Sequence, residues 1–512
     1  MKNSSKVILN TGILYGKMLI TMIITLLSTR WILQALGAED YGIYSLVAGI
    51  IVMLSFLNTA LSGSTQRFLS YNMGKGDADN LKEVFYYSVL FHLFVGIVVL
   101  LLFELGGIFF LKEVLVIPTG KEDVVLIVLH CLSVSTFFTI ISVPYQAILN
   151  ARENFLMVAI IGIIESVLKL AIAIVLLKYG GDRLILYAVL MMFLSLNSIV
   201  ILRFYCKRKY HETHIQWMRI KDTVLFKSMA SFALWNLIGS ITNLARGQGI
   251  AMLLNTFFGV IANAAYGIAY QVNGQVTFFS GTISKVMRPQ VVMSEGEGDR
   301  ARMLRLSLTN SKITFLLLAV LCVPLIVEMQ YALSLWLKNV PEYTIIFCQM
   351  VLLIALLFQL STGLFMIVES VGNIKWNQIF IGSLHILVLP AGYFCLKKGF
   401  PAFSVFLCII IEEFIALCLR TYFAKKIGGL SIKYYVFKVF VPSVSIVISA
   451  YILSLIAKQF LSDGLIRLGI IIVFSSLIIL LGGFKFALSK DEKGIITNLI
   501  SSFINKVGIK YK

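Results

Sequence analysis

The sequence predicts an all-α polytopic membrane protein, with about 14 transmembrane helices arranged as two parallel six-helix lobes plus two C-terminal helices. Three observations predict it. Of 512 residues, 59% are hydrophobic and only 13% charged, far from the roughly 25% charged of a soluble domain. Apolar stretches of about 20 residues, enough to cross a bilayer as a helix, recur throughout the chain. And the chain repeats itself: the YGIYSLV that starts at Tyr41 is answered by YGIAYQV starting at Tyr266.

The apolar stretches fall at 8–29, 41–63, 84–111, 124–149, 155–177, 184–205, 228–254, 258–284, 306–330, 343–368, 377–396, 402–424, 436–457 and 465–487. The first begins with the basic residues Lys2 and Lys6, but its apolar run is too long for a signal peptide and lacks a small-residue cleavage site, so it reads as a retained span. Gly12 and Gly16 form a GxxxG, a close-packing signal of low specificity. The span ends at Arg30 and Trp31, an interfacial pair, and a short acidic turn leads to the second span at Tyr41. Ser62, Gly63, Arg67 and a GKGD ending at Asp77 follow; their counterparts at the end of the eighth span and beyond it are Ser280, Gly281, Arg288 and a GEGD ending at Asp299. Spans 1–6 and 7–12 therefore form two copies that start on the same side of the membrane, which makes them parallel repeats.

This divides the chain into residues 1–210, 211–430, the helix pair 431–487 and the tail 488–512. In the tail, Ile495, Ile496, Leu499, Ile500, Phe503, Ile504 and Val507 share one helical face among lysines, the pattern of an interfacial amphipathic helix. Residues 288–305 read as a second inner-face helix. Lys and Arg concentrate in alternate connecting segments, which puts both termini in the cytoplasm. That placement also accounts for the +19 net charge through anionic lipid rather than nucleic acid.

No HExxH, GxSxG or phosphate-loop pattern is present, and the His211 and His214 of HETH stand in a polar loop without further ligands. The seven Cys are scattered with no CxxC, so they read as packing residues. Neither a metal nor a cofactor is expected. Ionisable groups inside spans cost several kcal/mol unless they face protein or water. Arg246 lies deepest, in NLARGQGIAML, and Asn236, Asn243 and Gln248 read as one polar face with it. Lys17 holds the comparable depth in the first span, so a pair of cations suited to an anionic substrate is expected, set against a buried carboxylate partner for Arg246 and a snorkelling Lys17. Arg30 is an outer anchor or an outer-mouth contact. Glu165 and Lys169, four residues apart, have the spacing of a helical ion pair, and Glu412 and Glu413 sit near mid-span; these four are the coupling or ion-pair candidates. Glu104, His92, His130 and His385 read as satisfied interior groups.

The pattern N-x-G, then R-x6-G-x3-YG-x-Y, then RF and GKGD, carried here by Asn10, Gly12, Arg30, Gly37, Tyr41, Gly42, Tyr44, Arg67 and Phe68, resembles the polysaccharide biosynthesis (Wzx-type) flippases of the multidrug/oligosaccharidyl-lipid/polysaccharide exporter superfamily. The resemblance implies two lobes around a cavity open alternately to each side. It implies a bacterial inner-membrane transporter, a monomer and not an enzyme, that carries sugars on an isoprenyl pyrophosphate to the outer leaflet. Polysaccharide polymerase and glycosyltransferases are the partners it suggests. A lipid II flippase or a drug/cation antiporter of the same superfamily is the alternative within transport. A membrane-embedded glycosyltransferase or polymerase is the alternative outside it, although every outer connecting segment here is short.

Overall fold

The computed structural model describes residues 2–53, 55–113, 120–215, 222–337, 339–490 and 492–494. Among them there is no strand. The helices are α1 (Lys2–Met53), α2 (Ser55–Lys75), α3 (Ala78–Glu113), α4 (Glu122–Ala151), α5 (Phe155–Lys178), α6 (Arg183–Lys209), α7 (Thr223–Gly296), α8 (Arg300–Val327), α9 (Met329–Trp336), α10 (Thr344–Val371), α11 (Lys375–Lys397), α12 (Ser404–Gly428), the single turn α13 (Ile432–Tyr435), α14 (Val441–Gln459) and α15 (Leu465–Gly482). The amphipathic face expected at 495–507 lies outside the described residues.

The turn between the first two spans is one residue. Helix α1 kinks at Gly37 (φ 77°, ψ 174°), and α7 kinks at Gly259 (φ 74°, ψ −168°). This region of backbone space is open essentially to glycine alone. Nothing lies within 4 Å of where a Cβ would stand at either site, so it is the dihedral and not crowding that demands Gly. The flanks of the first kink are tied: Ala35 O accepts from Arg183 at 2.9 Å, and Asp40 pairs with Lys121 at 2.5 Å. That bond holds the Lys121 ammonium above its ordinary range, which gives the acidic turn a role in joining α1 to the start of α4.

The GxGD motifs are the same device twice. Gly76 (φ 72°) and Gly298 (φ 78°) take the left-handed conformation that ends a helix. Asp77 N reaches Asn72 O at 3.2 Å while Asp299 N reaches Ser294 O at 2.9 Å, and Gly76 N and Gly298 N bond to Met73 O and Glu295 O. Each Asp then caps the next helix, with Asp77 Oδ1 accepting from Asn80 N at 3.1 Å and Asp299 Oδ1 from Arg302 N at 2.9 Å. Residues 288–305 are thus not a separate inner-face helix: Gly298 divides them between the end of α7 and the start of α8.

By length and apolar character, 11 of the described helices can cross a membrane. The difference from the fourteen stretches read in the sequence has two causes. The kinked α7 contains two of those stretches, the kinked α1 contains the first and runs into the second, which ends in α2, and α12 carries Glu412, Glu413 and Arg420, which lower its apolar character.

The chain forms two compact units, residues 10–240 and residues 241–512 with residues 1–9. The division falls inside α7, past the 210/211 boundary read from the sequence. In the first unit α4 is central and packs against α2, α3, α5 and α6, burying Val99, Phe103, Val128, Leu129, Leu176 and Tyr187. In the second, α10 packs against α8 and α12 around Leu318, Cys322, Phe347, Val351 and Phe406. Here α8 and α10 approach closely enough that a Cβ at Gly363 would stand 2.0 Å from Ser307 O, the small-residue packing of membrane helices.

Helices α14 and α15 belong to the second unit and pack on α8. Two buried charge sites fasten them. Glu328, fully buried at the end of α8, takes Arg467 Nη2 at 2.8 Å with Lys458 Nζ at 3.8 Å. Lys312, midway along α8, meets Glu492 at 2.5 Å, and Thr309 donates to the other carboxylate oxygen at 2.5 Å. Ser489 and Glu492 also form a capping box, with Ser489 N on Glu492 Oε2 at 2.7 Å and Glu492 N on Ser489 Oγ at 3.3 Å.

Candidate functional site

In the first unit the candidate groups converge on α5. Asn154 caps this helix through Met157 N at 3.3 Å, and Gly162, Glu165 and Lys169 follow on successive turns of one face. Lys17 of α1 lies over Gly162: a Cβ there would meet Lys17 Cε at 2.3 Å. From that position the Lys17 ammonium acts electrostatically on Glu165. Glu165 accepts a hydrogen bond from Ser198 of α6.

The i,i+4 ion pair expected between Glu165 and Lys169 is not formed. With Ser198 on the carboxylate and Lys17 beside it, Glu165 already has its partners. Lys169, half-buried, makes no hydrogen bond or ion pair to any described residue.

Glu165 and Lys169 line a cavity of 450 Å³ within this unit, together with Tyr44, Gln146 and the hydroxyls of Ser135, Thr139, Ser142, Ser166, Ser195 and Ser198. Every one of those hydroxyls has its proton engaged. Ser135 donates to Cys131 O at 2.8 Å, Thr139 to Ser135 O at 2.9 Å and Ser142 to Thr139 O at 2.7 Å. Ser166 donates to Gly162 O at 2.9 Å and Ser195 to Met192 O at 2.8 Å, and Ser198 serves Glu165. The walls therefore offer oxygen lone pairs, and the chief donor facing the cavity is the Lys169 ammonium.

In the second unit the deep guanidinium is engaged by its own chain. Arg246 contacts Glu412, lies 3.0 Å from Glu413 Oε1 and reaches Asn243 Oδ1 at 3.2 Å. His385 Nδ1 stands 3.0 Å from the other oxygen of Glu412. Arg420, on the same helix as the two carboxylates, lies 3.7 Å from Glu413 and donates to Ser361 at 2.6 Å. Two guanidiniums and two carboxylates thus cancel inside the unit, and an anion reaching Arg246 has to compete with two carboxylates already on its Nη1.

Of the other residues singled out in the sequence, Arg30 is exposed and makes no ion pair with a described residue, Asn236 is buried in the first unit, and Gln248 is exposed in the second. Gln248 does not share the Arg246–Asn243 face, because two residues along a helix turn the side chain by about 200°. Glu104 is bonded to His130 at 2.5 Å and to Ser133, while His92 is buried with Nδ1 2.6 Å from Ser88 O. Arg67 is stacked between Phe68 at 4.6 Å and Tyr71 at 4.8 Å, whereas its counterpart Arg288 is bonded to Glu369.

The hydroxyl wall was not singled out in the sequence, although a signal for it exists. Ser135, Thr139, Ser142 and Gln146 follow the 4-3-4 spacing of one helical face, a polar stripe inside an otherwise apolar span.

Comparison with known proteins agrees with this architecture. The family described as polysaccharide biosynthesis protein matches residues 6–295. No curated protein sequence matches the chain. Among solved structures, an outward-facing multidrug resistance MATE transporter of the MOP superfamily superposes with a TM-score of 0.70 at 12% identity, covering 83% of this chain and 96% of that one. A MATE protein in the straight conformation gives 0.70 at 11% identity, covering 83% and 96%. A MOP-superfamily transporter from Pyrococcus furiosus, described as having a binding pocket of reversed polarity, gives 0.69 at 12% identity, covering 84% and 96%. The fold is the one these MATE and MOP-superfamily structures share, and the chain belongs to the polysaccharide biosynthesis protein family.

Proposed function

We propose that the chain flips an isoprenyl-pyrophosphate-linked oligosaccharide from the cytoplasmic to the outer leaflet of a bacterial inner membrane, by alternating access, for O-antigen or capsule synthesis. Family membership supports the polysaccharide part. The observation that carries the rest is the pair of lysines, Lys17 and Lys169, set against the single carboxylate of Glu165 beside a hydroxyl-walled cavity. The isoprenyl tail of such a substrate can stay in lipid. Its pyrophosphate and sugars cannot, since a bare charge in hydrocarbon costs on the order of tens of kcal/mol by Born estimates.

In this reading Lys17 supplies point charge to the anionic head, and Arg246 is a reserve cation that binds phosphate through its forked donors when Glu412 or Glu413 gives way. Arg30, Asn236 and Gln248 are then contacts along the route. Glu412, Glu413 and Glu165 are the groups whose protonation couples transport to an ion gradient. Both termini are cytoplasmic, the chain works as a monomer, and polymerase and glycosyltransferases act before and after it.

Deletion should leave the lipid-linked unit accumulating on the cytoplasmic face, and normal surface polysaccharide in the deletant would sink the reading. A drug/cation antiporter is favoured less, because a cationic cargo needs uncompensated carboxylates. Here Glu328, Glu369, Glu412 and Glu413 each face an Arg.

A further inference from the structure

We infer that the 450 Å³ cavity of the first unit is a subsite for an acidic sugar, a monoanionic hydroxyl-rich ring of the uronic kind whose carboxylate pairs with Lys169. The subsite rests on the flippase reading for its biological setting, while its chemistry is local.

The volume lies within the usual range for a small-ligand pocket. What selects the ligand is the combination of charge and hydrogen-bond direction. Lys17 and Lys169 contribute two positive charges to this corner of the unit and Glu165 one negative, so one positive charge stands uncompensated. An ammonium at membrane depth without a counter-charge is costly, which calls for a ligand carrying a single negative charge.

The walls narrow the choice further. With the protons of Ser135, Thr139, Ser166 and Ser195 held by helix carbonyls, the cavity presents acceptors, and a ligand must bring its own donors. Pyrophosphate brings none: apart from Lys169 and the amide of Gln146, which already gives one proton to Ser142 at 3.2 Å, its peripheral oxygens would face lone pairs. A neutral hexose brings donors but leaves Lys169 uncompensated, and a metal cation is repelled by the ammonium. A uronic acid satisfies both requirements, its ring hydroxyls donating to the wall oxygens and its carboxylate accepting from Lys169 in a charge-assisted bond.

Saturation-transfer NMR on the detergent-solubilised full chain tests this with D-glucuronate, D-glucose and inorganic pyrophosphate as probes. Glucuronate should bind more tightly than glucose. Lys169→Met, which keeps the length and removes the charge, should weaken glucuronate about tenfold or more, the worth of one charged hydrogen bond, and leave glucose unchanged. Lys169→Arg should keep the preference, and it serves as the readout if the Met variant does not fold. Equal binding of the two sugars, an unchanged glucuronate signal in Lys169→Met, or displacement of glucuronate by pyrophosphate would each overturn the assignment. Normal surface polysaccharide in the deletant alongside Lys169-dependent glucuronate binding defeats the flippase reading and leaves the subsite standing. A transport-deficient deletant alongside absent glucuronate binding does the reverse.

Discussion

Replacing Arg246 by Met should destabilise the protein severely, whatever it does to transport. The side chain is 12% exposed, and the carboxylates it serves, Glu412 and Glu413, are 4% and 1% exposed. With Arg246 present, two guanidiniums balance two carboxylates; without it the cluster holds one excess negative charge among apolar helices. Breaking a buried pair by removing one partner costs about 3–5 kcal/mol, roughly two to three and a half decades in an unfolding equilibrium. The assay is the midpoint of unfolding by added denaturing detergent, followed by the loss of the monodisperse species. The decisive comparison is the double variant Arg246→Met with Glu412→Gln. It leaves Glu413 with Arg420 and lets the introduced amide keep a hydrogen bond to His385, so charge balance is restored and more than half of the loss should return. A single variant as robust as the parent, or a double variant no better than the single, would refute the account of this cluster as mutually neutralised. The same comparison separates stability from transport, since a transport defect that persists in the restabilised double variant belongs to the charges removed, Arg246 or Glu412, and Glu412→Gln alone tells the two apart.

Two further outcomes follow from local geometry. Gly37→Ala and Gly259→Ala should each cost about 1–3 kcal/mol, because both sites hold backbone angles that Ala avoids, whereas Gly42→Ala, in regular helix with open space around it, should not destabilise; thermal midpoints of the three variants in one detergent decide this. Burial pushes the Glu492 carboxyl up, but Lys312, Thr309 and the Ser489 amide outweigh it and hold it below the ordinary carboxylate range. Its stabilisation is therefore complete above that range and is lost as pH falls through the lowered value, so Glu492→Gln should flatten the acid limb of the stability–pH profile, and an unchanged limb would count against the Lys312–Glu492 bond.

Much of the fold was legible because membrane helices announce themselves by length and because the chain is duplicated. The repeat set the Tyr41 stretch against the Tyr266 stretch and GKGD against GEGD; the glycine kinks that precede the two tyrosines share one backbone geometry, and so do the two GxGD turns. What could not be read was which charge meets which. Arg246, Glu412 and Glu413 were each visible as intramembrane charges, yet 166 residues separate the first two, and nothing in a single sequence ties such residues together. The spacing of Glu165 and Lys169 suggested a pair that the fold does not make, since local spacing permits a contact without requiring it, and Lys17 and Ser198 come from other helices. The Lys312–Glu492 and Glu328–Arg467 bonds were unreadable for the same reason.

Those last two bonds bear on how a chain of this kind is shortened or lengthened. Lys312 and Glu328 stand 16 residues apart on α8 and its end, about 24 Å along a helix, and each finds its counter-charge only in the C-terminal hairpin or just beyond it. Cutting the gene after α12 would therefore not yield a leaner transporter: it would strand an ammonium and a carboxylate on a helix surface newly facing lipid. A twelve-helix descendant has to neutralise positions 312 and 328 in the same step, which makes these two residues diagnostic of whether a shorter relative lost the hairpin or never had it.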